Sequence, residues 1–141
     1  MRKFGRTRRI VMIAAGIIIG ALAAGARADD TPSPSVAGVI VYKINPDGSL
    51  DGRWTHPDLK GAAGTEHATG GMPGKLEGVY KVETYDDANN EVFQGSLDIK
   101  PVEVSYSLTW TGTPAPANGS QMTVKGVGLI ESNDLLAACF Q

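Results

Sequence analysis

The sequence predicts an all-β fold, a small antiparallel up-and-down β-barrel of seven to eight strands, on three observations. Apolar and polar residues alternate at period two in several separate runs after residue 38. Clusters of Asn, Asp, Gly and Pro stand between those runs, as they do between the strands of hairpins. No window of about 11 residues beyond the N-terminal segment carries a helical period. Sequential hairpins with few long crossings favour a barrel, which also removes exposed sheet edges; a β-sandwich is the alternative.

The elements follow in order. Residues 39–44 and 49–55 form a hairpin around Asn45-Pro46-Asp47-Gly48, where Pro presets the first turn φ and Gly takes the left-handed position. Residues 79–85 and 92–100 form a second pair across Asp86-Asp87-Ala88-Asn89-Asn90, with Phe93, Leu97 and Ile99 on one face. From Pro101 the alternation is cleanest. Val102, Val104, Tyr106, Leu108 and Trp110 interleave with Glu103, Ser105, Ser107, Thr109 and Thr111, predicting one half-buried strand over 101–111. Residues 122–131 and 135–140 flank the turn Ser132-Asn133-Asp134, and Gly126 and Gly128 predict curvature or close backbone approach. Residues 56–75, rich in Gly, Ala, Thr and Pro, predict a long loop leaving the barrel rim at Trp54, a length usually reserved for function.

The N-terminal segment is of another kind. Arg2, Lys3, Arg6, Arg8 and Arg9 precede an uncharged apolar run, and Ala26-Arg27-Ala28 supplies a small-x-small cleavage pattern. Residues 1–28 therefore read as a cleaved export signal, 29–35 as a flexible leader and 36–141 as a single domain. Thr7-Arg8-Arg9-Ile10-Val11-Met12 resembles a twin-arginine signal, although the ordinary secretory route is expected; either predicts a periplasmic or secreted protein. Six of the 13 basic residues lie in the signal and all 15 acidic residues beyond it, so the remainder carries 7 basic against 15 acidic groups, a formal −8. Such a charge excludes nucleic acid as a partner, limits membrane contact to export, and predicts a monomer or weak oligomer. Cys139 is the only cysteine, so no internal disulfide forms; its apolar C-terminal context predicts a small buried residue.

Gly78-x-Tyr80-x-Val82, Phe93-x-Gly95-x-Leu97-x-Ile99, Tyr106-x-Leu108-x-Trp110, Gly126-x-Gly128 and the terminal apolar strand are similar to a group of small secreted bacterial β-proteins, some labelled fibronectin-binding. The resemblance covers residues 78–140 and implies a lipocalin- or avidin-like barrel. Tyr106-Ser107-Leu108-Thr109-Trp110 also looks like an avidin strand ending in a biotin-stacking Trp. Avidins enclose biotin with several Trp, whereas Trp54 and Trp110 are the only two here, with Phe140 standing where another aromatic is sought.

Two sets of candidate site residues emerge. Trp54, Tyr80, Tyr106 and Trp110 would bind a ligand at the barrel mouth, although a Trp near a strand end also serves as core. His56, Asp58, Glu66 and His67 offer ligands for zinc or copper, the basis of an alternative reading as a metal-dependent enzyme, but without the spacing of a known metal motif. No Gly-x-Ser-x-Gly elbow, calcium-loop register or phosphate-binding glycine loop is present, and no cofactor is expected. The sequence thus predicts a non-enzymatic envelope protein that binds a small molecule at the barrel mouth or an extracellular or envelope protein such as a matrix protein. A structural or inhibitory module is the third reading.

Overall fold

The structure, a computed structural model, describes residues 37–115 and 119–141. The predicted signal and leader lie outside the described residues. Eight strands follow in chain order: β1 (Gly38–Ile44), β2 (Leu50–Thr55), β3 (Gly64–Thr69), β4 (Gly78–Tyr85), β5 (Glu91–Val102), β6 (Ser105–Pro114), β7 (Met122–Ser132) and β8 (Leu135–Phe140). Each pairs antiparallel with the next, and β1 pairs with β8, so the sheet closes into an up-and-down barrel.

Period-two patterning specifies which face turns inward. Ile40 and Tyr42 of β1, Leu50 of β2, Tyr80 and Val82 of β4, Leu97 and Ile99 of β5, Leu108 and Trp110 of β6, and Leu136 and Ala138 of β8 are buried and form one core. Each fully buried aliphatic side chain contributes roughly 1.5–3 kcal/mol. Large rings are accommodated by glycines on the adjacent strand: a Cβ on Gly52 would stand 2.7 Å from Cε1 of Tyr42, its register partner. Gly126 plays the same part beside Trp110, where a Cβ would lie 3.0 Å from Cζ3 and 2.5 Å from the Cys139 carbonyl oxygen. The close approach expected of that strand is therefore present.

The turns that set register are local. In the first hairpin, Asn45 N–H donates to Ser49 O (2.9 Å), Gly48 has φ +86°, and Asp47 Oδ1 accepts from Ser49 N–H (2.9 Å). Between β4 and β5, Asp86 Oδ1 accepts from the N–H groups of Ala88 and Asn90 at 2.9 and 2.8 Å, while Asn89 takes the left-handed conformation at φ +62°.

Three sequence expectations are corrected. Residues 56–75 are not one long loop: a 3-10 turn (Pro57–Leu59) is followed by β3, which pairs with β2 on one side and β4 on the other. Residues 101–111 are not one strand, because Glu103 and Val104 form a two-residue turn with Glu103 at φ +54° and Val102 paired to Ser105. A two-residue turn inverts the parity of inward positions, so β5 faces inward at odd numbers and β6 at even ones; Val102 and Val104 are consequently exposed. Cys139 is exposed rather than buried, since inward Ala138 leaves its neighbour on the outer face. There it joins exposed Val39 and Val127, its register partners on the adjoining strands.

Candidate functional site

The two ends of the barrel are built differently. One end is sealed by core side chains: Tyr80 donates its hydroxyl to Leu76 O at 2.7 Å, and Leu76, Leu50, Ile99 and Leu136 are buried nearby in the chain's inward set. The other end holds a cavity of about 210 Å³ lined by Ile40, Trp54, Glu66, Thr84, Val92, Phe93, Trp110, Met122, Val124 and Phe140. Because neighbouring strands run oppositely, residues early in β1, β3, β5 and β7 and late in β2, β4, β6 and β8 meet at one end; the lining residues follow that rule. An eight-stranded barrel is just wide enough to be filled by side chains or to hold one small ligand.

Exposure grades along the cavity. Trp54, Phe93, Val124 and Phe140 are half-buried, whereas Ile40, Glu66, Thr84 and Trp110 are buried. Trp54 is fixed by donation of its indole N–H to Tyr85 O at 3.2 Å, and Gly64 opposite it leaves room for the ring. Trp110 packs edge-on against Phe140, with ring centroids 5.9 Å apart.

At the base of this apolar lining lies Glu66, only 4% exposed. Its Oε1 accepts from the Tyr42 hydroxyl and from Trp110 Nε1–H (3.0 Å), and its Oε2 from the Thr84 hydroxyl (2.7 Å). Donors from β1, β4 and β6 thus converge on one side chain of β3. Burial, followed by the proximity of Glu66 and the hydrogen bond to it, pushes the Tyr42 hydroxyl well above the ordinary tyrosine range. No buried side-chain polar atom among the described residues lacks a hydrogen-bond partner.

The predicted residues divide accordingly. Trp54 and Trp110 come together in the cavity wall, with Trp110 also part of the core. Tyr80 and Tyr106 do not join them: they sit near the starts of β4 and β6, at the sealed end. The four metal-ligand candidates are separated. Glu66 points inward, and His67, the next residue, points outward to Asp51 Oδ1 at 2.9 Å. His56 and Asp58 remain together at 3.3 Å on the 3-10 turn. Among the described residues, no group of three or more His, Cys, Asp and Glu side chains is arranged to hold a metal.

Comparison with known proteins found no matching family model, no matching curated protein and no matching solved structure. The site is therefore read from its own chemistry. Of the cavity residues that the sequence did not nominate for this role, Phe93 and Glu66 bear most on its chemistry. Phe93 carried a signal in its inward parity with Leu97 and Ile99. Glu66 carried one only in the Gly64-x-Glu66-x-Ala68 spacing, which lacks large apolar residues.

Proposed function

We propose that this chain is an exported, non-enzymatic binding protein that holds a small molecule in the barrel end lined by Trp54, Phe93, Trp110 and Phe140. The observation that carries the reading is a cavity with aromatic walls above a single buried, hydrogen-bonded acidic side chain. Apolar walls with a few placed polar groups are the usual composition of ligand sites. Aromatic surface supplies affinity by burial, while the acidic group fixes orientation. The export signal read at residues 1–28 puts this binding outside the cytoplasm.

The reading makes no demand for catalysis. Among the described residues, the cavity lining holds no histidine and no second carboxylate beside Glu66. Native mass spectrometry of the mature chain recovered from its host's periplasm or medium tests the proposal, together with a small-fragment screen by ligand-observed NMR. The expected result is a retained small-molecule mass, or fragments displaced by Trp54→Ala. A bare mass with no fragment bound at millimolar concentration would move the function to the outer surface.

A further inference from the structure

We infer that the ligand of this cavity is a small organic cation, an alkylammonium or similar group, with Glu66 as its counter-charge and the surrounding rings as its cage. The inference rests on the binding reading above and specifies its chemistry.

Glu66 is buried, and it acts as acceptor in all three of its hydrogen bonds, the role of a carboxylate. All three donors are neutral. Among the described residues no Lys, Arg or His stands within ion-pair reach of it, although the outer surface pairs acids with cations readily, as in Lys81–Glu83 and Lys100–Asp98. A buried charge held only by dipoles is costly, and a cationic ligand supplies what the fold omits. A carboxylate offers about four acceptor sites. Oε1 already receives two donors and Oε2 receives one, which leaves a position on Oε2, beside Thr84 in the cavity lining.

The walls agree with that sign of charge. Trp54, Phe93, Trp110 and Phe140 line the space, and the negative faces of such rings attract cations, most strongly when water is excluded. The excess of acidic over basic residues in the domain favours entry of a cation and opposes an anion. The cavity volume restricts the buried part of the ligand to a compact head group.

The test uses isosteric pairs that differ only in charge: choline against 3,3-dimethylbutan-1-ol, and benzylammonium against benzyl alcohol. Binding is measured by calorimetry and by fluorescence of the two tryptophans. At least one cation is expected to bind about tenfold or more tighter than its neutral partner, a difference of the size that cation–π and ionic contacts supply. Glu66→Gln should abolish that preference while retaining the neutral compound's affinity. Phe93→Leu, which keeps the cavity apolar and leaves Glu66 in place, should weaken the cation several-fold and the neutral partner little; it decides the matter if Glu66→Gln fails to fold. Equal binding within each pair would overturn the cation while leaving the binding reading intact. Binding of neither member of either pair would overturn the cation as well, and the fragment screen described above would then judge the site itself.

Discussion

Trp110 on β6 donates its indole N–H to Glu66 Oε1 on β3 at 3.0 Å, a bond that spans the barrel interior between strands that are not neighbours in the sheet. Ladder hydrogen bonds tie each strand only to the next. This contact, with that of Tyr42 on β1, ties walls that are not neighbours to one another through the site itself. The same indole also lies 3.3 Å from the Tyr42 hydroxyl, so the three side chains form one network.

Trp110→Phe keeps a ring in place and removes the donor. Hydrogen bonds to charged groups contribute roughly 1.5–3 kcal/mol, and the variant is expected to lose about that much. Urea denaturation followed by circular dichroism measures it; a loss below about 0.5 kcal/mol, the range of neutral surface changes, would mean that the bond contributes no stability.

Gly64→Ala probes the seat of Trp54. A methyl group there would collide with the Tyr85 carbonyl oxygen and the Trp54 indole, and the first of these is backbone that cannot swing away. Overpacking of this kind costs about 1–3 kcal/mol. Thr65→Ala, one residue along on the exposed face, is expected to stay within about 0.5 kcal/mol in the same urea titration, so the difference between neighbours isolates the inward position.

Alkaline pH should expose the burial of Tyr42. Its folded-state pKa is raised, chiefly by burial and then by Glu66, so folding favours the neutral phenol. Its contribution is fully present below the unfolded value of about 10 and is lost as pH rises above it, because the unfolded chain ionises first. Stability measured in urea from pH 8 to 11.5 should therefore fall above about pH 10. Tyr42→Phe should be less stable at pH 8 and show a shallower alkaline fall. Some slope would persist from Tyr80, which burial also raises.

Much of this was legible in the residues, for a physical reason. Where inward positions are large and apolar, as at Ile40, Tyr42, Val82, Leu97 and Leu136, alternation marks the strand and its face. β3 escaped because its inward positions are Gly64, Glu66 and Ala68: one makes room for a tryptophan, one receives hydrogen bonds, and one is merely small. The β5–β6 turn escaped because Val102 and Val104 extend the even-numbered apolar series of β6 through a turn that reverses the chain. Of the four residues nominated for a ligand site, Trp54 and Trp110 line the cavity. Tyr80 and Tyr106 have the same inward parity, but parity identifies a face and not an end.

Cys139 offers a chemical check on β8. Its outward placement predicts that 5,5′-dithiobis(2-nitrobenzoic acid) titrates one thiol per chain without denaturant. A thiol that reacts only in urea would shift the register of β8 by one residue and turn Leu136 and Ala138 outward with it.

The division between the two barrel ends has a consequence for how such a protein can diversify. The tight turns at Gly48, at Glu103–Val104 and at Asn133–Asp134, which fix strand register, lie away from the aromatic cavity. On the cavity side, the connection between β2 and β3 is longer and carries its own 3-10 turn (Pro57–Leu59). Strand register does not depend on its length. A lineage, or an engineer, could lengthen or replace that connection and reshape the rim of the cavity while the turns of the opposite end continue to dictate the same architecture.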